Sequence, residues 1–251
     1  MSFIDIPNIP HKEVTHVLAD GRISAEAEMS LNRLGICVVK TIRHPSLYEA
    51  ISCHPDVVFY HVGVNLAICA PGIDVTILES LSNLGFNLIK GSCVLASDYP
   101  LDIPYNAARV GNFVIHNFKH TDTALLNTFE QHALTRIDVK QGYSKCLISI
   151  VDEKSIITAD KGIAQAAEKK GLDVLLIDQN ENIELPGLNR GFIGGATGLI
   201  GPKLWALNGK FENLKCCKQI AEFLDKRGIT PISLTHDTVI DIGSIIPLLT
   251  K

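Results

Sequence analysis

The strongest constraint in this chain is a pattern that returns five times. An amphipathic helical stretch, a turn residue and a short apolar strand recur as LNRLGICVVKT (31–41), LSNLGFNLIKG (81–91), HALTRIDVKQG (132–142), AEKKGLDVLLI (167–177) and LDKRGITPISL (224–234). In four of the five copies a glycine follows the helix directly. A helix that ends there needs positive φ, which glycine adopts without steric cost. The strands are rich in Ile, Val and Leu, which predicts cover on both faces. Self-similarity on this scale means one supersecondary unit repeated along the chain.

Between the copies lie hairpin-like pairs at 57–72, 106–117, 145–160 and 194–209. Their turns fall at Gly63 to Asn65, Gly111-Asn112, Asp152 to Lys154 and Gly201-Pro202. Polar residues such as Asp74, Asp122 and Asp160 stand where the next helices would be capped. Two strands therefore separate successive helices, which an ordinary open βαβ sheet does not explain. The segment 241–250 begins a fifth hairpin whose returning strand is missing, and THVLADGRIS (15–24) supplies it just ahead of a helix over 24–34. The expectation is one α/β domain spanning 1–251. In it, five strand–helix–strand–strand units form a five-fold pseudosymmetric α/β propeller, closed by pairing of the N- and C-terminal strands. Closure leaves no repeat end exposed to aggregation.

Composition narrows the function classes. A net charge of −4 with 20% charged residues leaves no basic footprint for nucleic acid. Apolar runs stay well short of the ~18 residues of a membrane span. The start MSFIDIPNIPHKE lacks the basic and apolar regions of a signal peptide. Seven cysteines, an odd number without CxxC spacing, point to a reducing, cytoplasmic setting and no disulfide framework. Most of them sit in apolar runs such as GICVVK and LAICAP, where a thiol behaves as a small buried hydrophobe. His116 and His120 are four apart but straddle a strand end and a loop, so neither a metal nor a cofactor is expected. The glycine-rich GFIGGATGLIG lacks GxGxxG order and leads into a strand, which argues against a dinucleotide site. The expected partner is a small molecule, with the oligomeric state left open.

Five such units with one split over the termini resemble the pentein, or guanidine-modifying-enzyme, fold of arginine and agmatine deiminases, dimethylarginine dimethylaminohydrolases, amidinotransferases and the non-enzymatic ribosome anti-association factors. The phrases YPLDIPYNAARVGNFVIHN (99–117), GYSKCLISIVDEKSIITADKGIA (142–164), GFIGGATGLIGPK (191–203) and DIGSIIPLL (241–249) are similar to a bacterial family described only by this fold. The resemblance covers nearly the whole chain. It implies a cysteine nucleophile in the fifth unit, a histidine acid–base in a preceding unit, and carboxylates that grip a guanidinium. This sequence departs from that set. Ser244 stands about where the cysteine belongs, and Gly194 and Gly195 stand about where the histidine belongs. No histidine lies between His132 and His236, and no cysteine follows Cys217. The position matching the family's acidic residue is nearer Asn106 than Asp98 or Asp102.

Ring closure would gather the starts of the inner strands at one mouth of a central cavity, near His61, Asn106, Cys146, Gly195 and Asp241–Ser244, with Lys145 and Asp102 close by. Two readings stay open. In one, Cys146 is a relocated nucleophile with His61 or His236 as its base. Asp102 and Asp241 then grip a cationic substrate, the glycines leave room for it, and the chain is a hydrolase- or amidinotransferase-like enzyme. In the other, Cys146 is a small buried residue, and the chain binds a small guanidine- or amine-bearing ligand, or a macromolecular partner, without catalysis. Ser244 with His236 makes a weak hydrolytic pair, since no GxSxG turn surrounds the serine.

Overall fold

The computed structural model describes residues 1–251. Four three-stranded sheets and one four-stranded sheet share one connectivity, in which an inner strand runs antiparallel to a middle strand and, after a helix, an outer strand pairs parallel to the middle one. The first unit comprises Phe59–Gly63, Leu66–Cys69, the helix Val75–Asn83 and Asn87–Lys90. The second comprises Ala108–Val110, Phe113–His116, the helix Thr123–Gln131 and Thr135–Asp138. The third comprises Ile148–Ile150, Ser155–Thr158, the helix Lys161–Glu168 and Asp173–Leu176. The fourth comprises Thr197–Gly201, Leu204–Leu207, the helix Cys217–Asp225 and Thr230–Ser233. The fifth is split: Ile246–Thr250 pairs antiparallel with Val14–Ala19, with Ile246 opposite Leu18, and the helix Ala25–Arg33 leads to Cys37–Lys40. Ser2–Phe3 extends this last sheet, and Ile183–Glu184 with Val239–Ile240 forms a small separate pair. The sheets remain separate; no strand ladder joins them into one closed sheet.

The helices form where the sequence places an apolar i, i+4 pair. Ala27 and Leu31, Ile77 and Leu81, Leu125 and Phe129, Ile163 and Ala167, and Ile220 and Leu224 are all buried against their sheets. Burying each larger side chain contributes roughly 1.5–3 kcal/mol, so these pairs rather than helix propensity hold helices of eight or nine residues. Ser24, Asp74, Asp122 and Asp160 cap their helices by accepting from backbone amides. The fourth-unit helix has no such cap of its own. Glu181 from a neighbouring loop accepts instead from the amides of Lys215 and Cys216, at 2.8 and 2.9 Å. Four residues after the inner member of each pair the chain turns left-handed, at Gly35, Gly85, Ala133, Gly171 and Gly228. The third place in this series belongs to an alanine, at φ +50.

Two expectations are corrected. The outer strands are not covered on both faces: Cys37, Lys40, Asn87 and Lys90 are exposed, because each strand is the free edge of its sheet. The fully buried strands lie further in: the middle strand Ser155–Thr158 and the inner strands Ile148–Ile150 and Ile246–Thr250. Cys37 is accordingly exposed, whereas Cys69 on a middle strand is buried.

Candidate functional site

The starts of the inner strands meet, and hydrogen bonds run among them from unit to unit. The Asp56 amide, ahead of the first inner strand, donates to Gly243 O of the fifth unit at 3.2 Å. Ser244 N donates to Gly195 O of the fourth at 2.7 Å, and Gly195 N to Cys146 O of the third at 2.8 Å. Lys145 N donates to Asn106 O of the second at 3.0 Å. Asn106 Nδ2 then donates to Asp56 O at 3.0 Å, which returns the circuit to its origin.

The side chains at these places form a sealed polar hub. Ser244, at φ +79, is fully buried; its Oγ lies 2.8 Å from Asp56 Oδ2 and 2.9 Å from Gly194 O. With one proton to give, it serves one of these acceptors at a time. Lys145 Nζ donates to the same Oγ at 2.9 Å. Cys146 Sγ lies 3.2 Å from Asp56 Oδ2 and accepts from Asn106 Nδ2 at 3.1 Å. Asn106 Oδ1 accepts from the amides of Lys145 and Cys146 at 2.9 and 3.3 Å, so all of its bonding capacity is used. Burial pushes the Cys146 thiol well above its ordinary range, and the nearby Asp56 and Asp241 carboxylates push it further. Burial depresses the Lys145 ammonium, with Asp56 opposing.

Asp241 occupies the space beside the fourth unit. Its Oδ1 accepts from Gly243 N at 2.9 Å and its Oδ2 from Phe192 N at 2.8 Å. Burial nevertheless raises its pKa. A Cβ on Gly195 would lie 1.9 Å from this carboxylate, and one on Gly194 would lie 2.4 Å from the carbonyl oxygens of Ile148 and Lys145. The two glycines therefore make room for protein rather than for ligand, which corrects the expectation of an open central hollow. The cavity lined by Asp56, His61, Tyr105 and Lys145 measures about 20 Å³, space for a single water.

Neither histidine expected as a base reaches Cys146 by a hydrogen bond. His61 Nε2 is 2.9 Å from Val64 O, which can only accept, so that nitrogen carries the proton and the buried Nδ1 is bare. The ring packs edge-on against Phe86, and burial lowers its pKa to about 4. His236 is exposed on a loop, its amide 3.1 Å from Glu26 Oε1. The histidine at the hub is His54, which sequence reasoning missed along with Asp56. The signal was present: Pro55–Val58 and Ser144–Leu147 are matching short helices ahead of inner strands, which sets Asp56 opposite Lys145. His54 is 1% exposed, with Asp20 Oδ2 3.9 Å from Nε2 and Asp241 Oδ1 3.9 Å from Nδ1.

Above the hub lies a second polar group. Asp102 is 1% exposed, and Tyr143 Oη donates to its Oδ2. Its Oδ1 has no partner, and burial raises its pKa. Tyr48 Oη is 3.5 Å from Tyr143 Oη; burial raises the pKa of the Tyr48 phenol, and the Asp102 and Asp241 carboxylates raise it further. Tyr99 and Phe192 flank Tyr143 at 6.1 and 6.5 Å between ring centroids. The structure thus brings Asn106, Lys145, Cys146, Gly195, Asp241 and Ser244 together and sets Asp102 in this upper group.

Solved structures share this fold. An amidinotransferase from the saxitoxin biosynthetic pathway of Microseira wollei aligns over 92% of this chain and 91% of its own, with TM-score 0.59 and 12% identity. A DDAH from Pseudomonas aeruginosa, solved with citrulline, aligns over 94% of this chain and 100% of its own, with TM-score 0.57 and 11% identity. An agmatine deiminase from C. jejuni with substrate bound aligns over 99% and 96%, with TM-score 0.56 and 12% identity. At such identities the likeness establishes the guanidine-modifying-enzyme fold and no more. No curated protein matches the sequence. No helix is long and apolar enough to cross a membrane. A family profile matches residues 18–246, and the chain belongs to that family, DUF6873, described as a family of unknown function.

Proposed function

We propose that this chain is a single-domain, five-fold pentein propeller that binds a small guanidinium- or ammonium-bearing ligand at the Asp102–Tyr48–Tyr143 group, without the cysteine–histidine chemistry of the deiminases. The hydrogen-bond circuit through Asp56, Asn106, Lys145, Gly195 and Ser244 supports five-fold closure. The observation that carries the ligand reading is Asp102 Oδ1, a buried carboxylate oxygen with no partner under two half-buried tyrosines. An unpaired buried carboxylate costs free energy that a planar cation removes by charge-assisted hydrogen bonding, while aromatic rings hold its faces. The agmatine deiminase that shares this fold was solved with its substrate bound, and agmatine carries a guanidinium group, which agrees with this ligand class.

Catalysis through Cys146 is disfavoured on the same grounds. A nucleophilic cysteine needs an accessible, stabilised thiolate, whereas this thiol is buried and its pKa is raised by two carboxylates. The exposed Val94, Tyr99 and Leu101 beside Asp102 favour a second reading, a protein partner docked on this loop. The seven unpaired cysteines suit the reducing cytoplasm.

A thermal-shift titration tests the ligand reading. Agmatine, arginine and methylguanidine at about 100 times Kd should stabilise the fold by about 2.7 kcal/mol, roughly 5–10 °C at this size. Methylurea and acetamide, which are neutral and carry no ammonium group, should give no shift, and Asp102→Asn should lose the response. Equal shifts with cationic and neutral compounds, or an unchanged response in Asp102→Asn, would refute the assignment.

A further inference from the structure

We propose that His54, Asp56 and Cys146 form a binding site for a zinc-class divalent cation at the hub. The proposal is independent of the Asp102 site above it. The three side chains are 1%, 2% and 3% exposed, and one ligand atom from each lies within 4.8 Å of the other two. Both ring nitrogens of His54 and Oδ1 of Asp56 are buried without a hydrogen-bond partner. A neutral imidazole always carries one donor and one acceptor, and leaving buried groups like these unpaired is unfavourable. These orphaned atoms point to a missing ligand, because the side-chain polar atoms of Asn106 and Ser244 in the same hub are all hydrogen-bonded.

The donor chemistry selects the ion class. Imidazole nitrogen, carboxylate oxygen and thiolate sulfur together suit a borderline-soft tetrahedral ion rather than Mg²⁺ or Ca²⁺, which prefer oxygen alone. Bonds of about 2.0–2.3 Å set tetrahedral ligand–ligand distances of roughly 3.3–3.8 Å. The Cys146 Sγ–Asp56 Oδ2 separation is already 3.2 Å. Whichever His54 nitrogen takes the ion, the other faces a carboxylate 3.9 Å away, Asp20 or Asp241. That is the outer-shell partner which orients a metal-bound imidazole. On binding, the Cys146 thiol gives up its proton to solvent and ligates as thiolate, the ion supplying the positive charge that burial otherwise denies it.

The test uses the full chain refolded from denaturant with Zn²⁺ or Co²⁺, since the hub is sealed in the folded state. After gel filtration the wild type should retain one ion per chain, and the cobalt form should show a thiolate-to-metal charge-transfer band. Cys146→Ser should abolish the band, and the Cys216→Ser/Cys217→Ser pair should leave it unchanged. If Cys146→Ser fails to fold, His54→Gln gives the same reading through loss of stoichiometric cobalt. A wild type that emerges metal-free would overturn the proposal. So would a band that persists in Cys146→Ser or disappears with the Cys216 and Cys217 substitutions, or full cobalt retention by His54→Gln.

Discussion

At the rim of this molecule equivalent positions are interchangeable. Leu31, Leu81, Phe129, Ala167 and Leu224 occupy one place in the five units and differ only in apolar bulk. At the hub the equivalent places hold Asp56, Asn106, Lys145 with Cys146, Gly194 with Gly195, and Gly243 with Ser244, so no two units carry the same set. The rim needs volume and period, which many residues supply. The hub needs each donor matched to one acceptor across unit boundaries, so substitution there leaves a buried group stranded. Rim positions therefore specify the repeat, and hub positions make each unit distinct.

Acid should expose the largest cost of buried polarity. Burial holds His61 and His116 neutral, each with its pKa lowered to about 4. The unfolded chain binds these protons near pH 6.5, so stability is full above that pH and is lost as pH falls toward 4, by roughly 3 kcal/mol for each histidine. Asp102 and Asp241 act with the opposite sign. Their raised pKa values make the folded state the better proton binder just above the usual carboxylate range, which offsets part of the loss. Urea unfolding between pH 7 and pH 4.5 measures the sum, and His116→Gln should flatten the slope. An unchanged slope in that variant would remove His116 from the explanation.

Asn106→Ala comes next. It removes every side-chain bond that this residue makes to Asp56, Lys145 and Cys146. We expect a loss of about 2–4 kcal/mol in unfolding free energy, against about 1 kcal/mol for Ile77→Val at the rim. Similar costs at both places would erase the distinction between the regions. The smallest effect should carry the opposite sign. Ala133 takes the left-handed turn that glycine takes in the other four units. Ala133→Gly should raise stability by up to about 1 kcal/mol, and a loss would show that side-chain contacts at Ala133 outweigh its backbone strain.

This contrast also explains what could be read from the chain alone. Helix stripes, caps and turns are local, so the units, their hairpins and the pairing of 246–250 with 14–19 were legible. Asn106, Cys146, Gly195 and Ser244 were found by superposing repeats. His54 and Asp56 were missed because they precede the apolar run that marks the first unit. The filling of the centre was equally hidden, since Asp56 and Ser244 meet across 188 residues and no local pattern predicts that a carboxylate will fill the space beside Gly195. The exposed outer strands show the same limit, because an apolar run does not reveal which edge of a sheet it will occupy.

Iodoacetamide labelling of the native chain, mapped residue by residue over a range of pH, measures most directly whether the hub is closed in the folded state. Exposed Cys37 should alkylate at the rate of a free thiol, while buried Cys146 should react only as fast as the whole fold opens. Native-state alkylation of Cys146 faster than Cys37, with a pH midpoint below that of an ordinary thiol, would show an open, activated site and contradict the account.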